Sequence, residues 1–311
     1  MPELHVFTEP QDGATYQQLS EVARATEACG FAGFFRSDHY LTIHRVGGFP
    51  GPTDSWVTLA GLALQTERIR LGTLMTCATF RLPGPLAIAV AQVDVMSHGR
   101  VDLGIGAGWF GAEHSAYGIP FPGPTERFDR LAEQPEVVTG LWSTPEGSLY
   151  SFSGRYYQVK DSPGLPKPWQ RPGPPIVIGG TGRQRTPQLA ARFASEFNLP
   201  FVSLAEADVR FELVREACRS QGRDPSSLRL SVALTVCCGR DRAEVTRRAY
   251  DVGQDPERLE VVGAAGTQGQ ICERIEAYAR LGCQRVYLQL LDLGDLEQLE
   301  LLASEVLPAF D

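Results

Sequence analysis

The chain has 311 residues, 43% of them hydrophobic, a net charge of −8 and a sequence pI of about 5.3. That much apolar side chain provides a large core and argues against disorder, while the acidic balance argues against nucleic acid or an anionic membrane as the main partner. No apolar run approaches bilayer length, "MPELHVFTEP" has no basic segment before a hydrophobic one, and the seven cysteines form no CxxC pair or metal-like group with the five histidines, so the expectation is a reduced, cytoplasmic protein without a metal.

"LHVF" opens the chain as a short strand. In "TYQQLSEVARATEACG", Leu19, Val22, Ala23 and Thr26 recur at helical spacing before Gly30. "FAGFFRS" is a second strand-length run. "DSWVTLAGLALQTERI" reads as a helix capped by Asp54, and "IRLGTLMT" as the next strand. The helix "GPLAIAVAQVDVMSHG" leads to the strand "RVDLGIGAG". After "ERFDRLAEQPEVVTGLW", where Pro135 predicts a kink or break, come "PPIVIGG", "PQLAARFA" and "FNLPF". The remainder alternates in the same way, through "LRLSVALTVCC" and "RVYLQLL", to the last helix "DLEQLELLASEVL". Eight strand-like runs, each followed by a helical pattern, predict a single (β/α)8 TIM barrel over residues 1–311. Two insertions break the rhythm: a long loop at 39–53, and a Pro-, Gly- and aromatic-rich segment at 144–174 containing the hairpin-like "YSFSGRYYQV".

Three stretches carry candidate chemistry. "GAGWFG", Gly106 to Gly111, satisfies G-x-G-x-x-G after a strand, but Pro120, Pro122 and Pro124 leave room only for a short helix around "AEHSAY". A dinucleotide fingerprint needs a full helix there, so that reading is rejected, and with it the support for a nicotinamide-dependent reductase. The glycines make a tight turn, and beside an exposed Trp109 they also leave space for a flat ring. "PPIVIGGTGRQRTPQ" joins a buried strand to a glycine turn, with Thr186–Pro187 as N-cap and N1 and with Arg183 and Arg185 adjacent. It reads equally as an ordinary turn or as a phosphate cradle. In "FFRSDHY", Asp38 and His39 leave the second strand at its C-terminal end, where barrel enzymes carry their chemistry. They read either as a capping Asp with a partly exposed His or as a proton-handling pair, and His114 has the same two readings.

Taken together, "FTEPQ", "GFAGFFRSDHYL", "ATERIRLGTLMTCATFR", "GRVDLGIGAGW", "AEHSAYGIPFP", "ERFDR", "SFSGRYY" and "PPIVIGGTG" resemble the luciferase-like monooxygenase superfamily. The likeness is strongest to its branch that uses the deazaflavin coenzyme F420. It implies a barrel with its ring-binding cleft at the C-terminal mouth, Asp38 and His39 beside the ring as catalytic residues, and a non-prolyl cis peptide at Leu74–Met75 backing the ring. Cys77 and Thr79 would lie near the ring edge. Gly106, Ala107, Gly108 and Trp109 would line the cleft, and Gly179, Gly180, Thr181 and Gly182 would hold the phosphate.

The same resemblance implies a homodimeric oxidoreductase that moves hydride between F420 and a small-molecule substrate of carbonyl, alcohol, imine or enone class, the two insertions lying over the mouth. Its rivals are an FMN-dependent two-component monooxygenase and a non-catalytic flavin-binding barrel. The chain departs from the sugar-phosphate dehydrogenases of the family by having Trp109 where they carry an acid, and from relatives with an amide at the position of Ala112. Both departures bear on the substrate.

Overall fold

Short runs of buried residues form parallel strands, and the helices between them bring the chain back to the same end each time. The computed structural model describes residues 1–43 and 48–310. Its strands are β1 Glu3–Thr8, β2 Gly33–Arg36, β3 Arg70–Thr73, β4 Thr76–Cys77, β5 Val101–Gly106, β6 Tyr150–Ser153, β7 Gln158–Ser162, β8 Ile176–Gly179, β9 Glu196–Pro200, β10 Arg229–Cys238, β11 Ala264–Gly266 and β12 Arg285–Leu290. Parallel pairing runs β1, β2, β3, β5, β8, β9, β10, β12 and returns to β1, closing an eight-stranded barrel. β4 continues the line of β3 beyond a cis Leu74–Met75 peptide and pairs with β5, and β11 pairs with β10.

The helices are α1 Tyr16–Ala28, α2 Ser55–Gln65, α3 Pro83–Met96, α4 Gly111–Ala116, α5 Pro124–Ser143, α6 Arg185–Phe193, α7 Leu204–Ser220, α8 Arg242–Asp251, α9 Pro256–Val262, α10 Gln268–Arg280 and α11 Leu296–Glu305. Local chemistry fixes several starts: Asp54 caps α2, and Thr15 with Gln18 forms a capping box at α1. Two sequence expectations are corrected here. α5 runs through Pro135 without the break offered as one of the two outcomes there, and α6 begins one residue before Thr186, with Gln184 at the N-cap position and Pro187 inside the first turn. Proline has no N–H to lose in a helix's first turn, so Pro187 is tolerated at either place.

The main core lies between strands and helices. A second apolar layer of Phe7, Phe35, Leu74, Val177, Ala233 and Tyr287 fills the barrel interior. Below it, at the N-terminal strand ends, Arg285 pairs with Glu196 at 2.8 Å, Asp102 at 3.1 Å and Glu3 at 3.0 Å, and Arg70 also pairs with Asp102. Tyr287 donates to Glu196 at 2.7 Å. This buried polar plug seals one end and leaves the C-terminal end for ligands.

The 144–174 insertion forms the expected antiparallel hairpin of β6 and β7. Glu133 of α5 accepts the backbone N–H groups of Arg155, Tyr156 and Tyr157 at 2.8, 3.0 and 3.0 Å, which holds the hairpin tip against that helix. Farther on, Gln170 bonds Asp94 and the Val101 carbonyl, both at 2.8 Å, at the plugged end. Within the 39–53 loop, residues 44–47 lie outside the described residues.

Candidate active site

The end of β2 is set by Arg36. Buried and donating to the Thr53 side chain at 2.7 Å, the Thr53 carbonyl at 2.9 Å, Thr58 at 3.0 Å and the Ser37 carbonyl at 2.9 Å, it ties the start of α2 to the strand end from which Ser37, Asp38 and His39 follow. The two candidate catalytic residues then part company. Asp38 is 1% exposed, pairs with Arg81 and accepts from Thr76 at 3.0 Å. Its carboxylate ties β2 to β4 and does not line the cleft. Arg81 also reaches the Tyr40 hydroxyl at 3.1 Å and Asp54 at 2.5 Å.

His39 does line the cleft. Its Nδ1 meets Glu113 Oε1 at 3.0 Å and Oε2 at 3.1 Å, and Glu113 also accepts the Tyr40 backbone N–H at 2.9 Å. An acceptor on Nδ1 fixes that nitrogen as the donor and leaves Nε2 as the atom available to a ligand. Burial by itself would lower the imidazole pKa. The Glu113 hydrogen bond and the charges of Glu9, Glu113 and Asp38 outweigh it, and the net effect is a pKa raised above 6.5. Trp109 and Phe110 stack with centroids 5.2 Å apart, and both meet the His39 ring edge-on.

The rest of the lining includes the cis peptide and the glycines. Leu74, Met75, Cys77, Gly106, Ala107, Gly108 and Trp109 all line the cleft, as do Gly179, Gly180, Thr181 and Gly182. Part of the glycine requirement comes from the protein itself: a Cβ at Gly179 would stand 2.6 Å from Met75 Cε, and one at Gly108 would stand 2.1 Å from Cys77 Sγ. Cys77 Sγ lies 2.8 Å from Thr79 Oγ1, which lies 2.6 Å from His114 Nε2, while His114 Nδ1 bonds the Phe110 carbonyl at 2.9 Å. A carbonyl only accepts, so His114 Nδ1 is the donor, Thr79 donates to Nε2, and the thiol donates to Thr79. Burial pushes the Cys77 thiol up to about 11. His114 is therefore a buried structural histidine and not a cleft residue.

The cleft is about 610 Å³, within the range of small-molecule and cofactor sites. It runs from His39 to the turn at 179–182, where Gly180 has φ +131 and the first turn of α6 follows. The first N–H groups of that helix have no partners within it and favour an anion, so the turn fits a phosphate. Arg183 and Arg185 lie outside the cleft lining. Arg185 is held by Asp129 at 2.5 Å and the Thr125 carbonyl at 3.0 Å.

Residues 3–255 match the family of luciferase-like monooxygenases. The chain belongs to this family. Over 181 residues, 58% of the chain, it is 35% identical to an F420-dependent glucose-6-phosphate dehydrogenase of Microbacterium testaceum (strain StLB037), matching 51% of that protein. The chain thus spans about half the length of that relative. An F420-dependent hydroxymycolic acid dehydrogenase of Mycobacterium tuberculosis (strain ATCC 25618 / H37Rv) is 31% identical over 239 residues, which cover 74% of this chain and 61% of the relative. A solved F420-dependent secondary alcohol dehydrogenase, in complex with an F420–acetone adduct, superposes on all of this luciferase-like chain with a TM-score of 0.87 at 18% identity and is itself covered fully, which establishes the shared barrel.

Several cleft residues are not singled out by sequence reasoning: Glu9, Glu113, Asn198 and Phe201. Glu9 and Glu113 stand inside the stretches "FTEPQ" and "AEHSAYGIPFP", so the family pattern contained them. Only the folded chain shows that both line the cleft and that the charges of both act on His39.

Proposed function

We propose that this chain is an F420-dependent oxidoreductase that moves hydride between the deazaflavin and a small organic substrate of carbonyl, alcohol, imine or enone class. The observation that carries this reading is the His39 imidazole, fixed through Nδ1 by Glu113 and presenting Nε2 to a cleft backed by Leu74–Met75. When bound, the deazaflavin supplies hydride chemistry at its central ring without ready activation of oxygen. The chain's own residues do the rest. Leu74, Met75 and Gly106 to Gly108 form the ring's backing, and Gly179 to Gly182 with the start of α6 hold the phosphate.

Protonated His39 gives its Nε2 proton to a substrate oxygen that is gaining negative charge, and neutral His39 takes that proton in the reverse direction. Glu113 keeps the ring in the orientation and tautomer both directions need. Asp38 acts at a distance, by holding Arg81 and the β2–β4 junction. The family resemblance further supports a cytoplasmic homodimer.

Deazaflavin fluorescence on titration with F420, set against FMN, tests the reading. F420 is expected to bind tightly and His39→Ala to keep that binding while abolishing turnover. Tight FMN binding with oxygen consumption would overturn the F420 assignment, and F420 binding without turnover across a carbonyl, enone and alcohol panel would leave a non-catalytic barrel.

A further inference from the structure

The carboxylate of Glu9, just beyond β1, faces the cleft and is built in with unusual completeness. Ser37 Oγ donates to Gln11 Oε1 at 2.7 Å, and Thr235 Oγ1 donates to Gln289 Oε1 at 2.5 Å. With their carbonyls occupied in this way, both amides turn their NH2 groups to Glu9: Gln11 Nε2 meets Oε2 at 2.7 Å and Gln289 Nε2 meets Oε1 at 2.8 Å. Gln11, Gln289, Ser37 and Thr235 are all buried, and they come from the ends of four barrel strands or the residues just past them. Each Glu9 oxygen accepts one fixed bond and keeps lone-pair capacity for another.

The charges around His39 make Glu9 the one left over. Asp38 is answered by Arg81, and Glu113 by His39 itself. Glu9 is held by neutral amides, and among the described residues no Lys or Arg forms an ion pair with it, the buried Arg36 guanidinium acting on it only through its field. An arriving phosphate or carboxylate therefore meets a fixed like charge, whereas an O–H or N–H donor completes an unfilled acceptor. The cleft that Glu9 faces also presents apolar surface, from Phe7, Phe201, Ile43 and Trp109 among others.

We propose that Glu9 is a specificity-determining residue of this site, which selects uncharged substrates bearing a hydrogen-bond donor on an otherwise apolar frame and turns away phosphorylated ones. The proposal rests on the oxidoreductase reading above. It separates this chain from the glucose-6-phosphate dehydrogenases it resembles over part of its length.

The test measures dissociation constants of the F420-loaded protein by NMR titration with four probes: trans-cyclohexane-1,2-diol, cyclohexanol, glucose and glucose 6-phosphate. The diol is expected to bind about tenfold tighter than the mono-alcohol, and glucose 6-phosphate about tenfold weaker than glucose. Glu9→Gln should erase both preferences, and Glu9→Asp should restore them. A second readout uses cofactor-free protein: the His39 imidazole should titrate at lower pH in Glu9→Gln than in the wild type or Glu9→Asp, because a nearby negative charge has gone.

Tighter binding of glucose 6-phosphate than of glucose by the wild type overturns the proposal, as does a diol that does not bind or that binds no better than cyclohexanol. These wild-type comparisons stand even if the Gln variant does not fold. An unchanged order in a folded Glu9→Gln overturns it as well. If the protein takes FMN in place of F420, the functional reading fails by itself, while the effect of Glu9 on His39 is still decided by the cofactor-free titration.

Discussion

Glu113 grips Nδ1 of His39 with both carboxylate oxygens, at 3.0 and 3.1 Å, from a position 74 residues farther along the chain. The pair joins the end of β2 to the short helix α4 across the mouth of the barrel and sets the proton inventory of the cleft.

Removing the imidazole should be costly to catalysis and cheap to binding. His39→Ala is expected to lower kcat by about 10²–10⁴-fold while leaving F420 affinity near the wild-type value. Glu113→Gln removes the hydrogen-bonded charge that raises the His39 pKa, so the limb of the pH–kcat profile due to His39 should move to lower pH. Because the folded pKa lies above 6.5, the pairing's contribution to stability is full below pH 6.5 and is lost as pH rises through the raised value. Denaturant titrations of wild type and Glu113→Gln at several pH values check the sign: the gap between them should narrow toward alkaline pH.

Gly108 has φ +78, and a Cβ there would stand 2.1 Å from Cys77 Sγ. Gly108→Ala should cost about 1–3 kcal/mol for the backbone alone, with a further loss from the collision. Adding Cys77→Ala removes the sulfur and should recover the collision part but not the backbone part. Equal stability of the single and double variants in thermal or denaturant unfolding would contradict this division.

At the plugged end, His5 is fully buried and its pKa is lowered from 6.5 to about 4, first by burial and then by the Arg285 charge, against the opposing pull of Glu3 and Asp102. An unfolded chain takes up a proton at His5 below pH 6.5, and the folded chain does so only below about 4. Stability is thus lost as pH falls through that window, by about 3 kcal/mol for this one group. His5→Gln, which retains a donor toward Glu3, should flatten the pH dependence of unfolding free energy between pH 6.5 and 4 even if its stability at pH 7 is lower. An unchanged slope would show that His5 does not carry the effect.

The sequence carried the barrel because its evidence is local and periodic: eight apolar runs, helices with readable caps, and glycines at the ends of strands. It also carried the position of His39, since a residue just past a barrel strand has few places to go. The side-chain partnerships were beyond it. Asp38 and His39 are adjacent, yet one turns to Arg81 and the other to Glu113, and nothing in "SDH" distinguishes the two directions. The hairpin is a similar case: "SFSGRYY" announces two strands and a turn, but the contact that holds its tip, to Glu133 on α5, is not legible in it. Arg185 looked like a phosphate ligand until Asp129 and the Thr125 carbonyl took up its guanidinium.

The Arg285 plug has a consequence for traffic. With Arg285, Glu196, Asp102 and Tyr287 closing the barrel from below, the cleft has a floor and opens away from it. On the reading proposed above, a flat ring would sit against Leu74 and Met75, and a substrate placed over it would stand between the ring and the open end. With that placement the molecules would leave in the reverse of the order in which they arrived, so the closed end of the barrel would impose a sequence on binding and release before any chemistry begins.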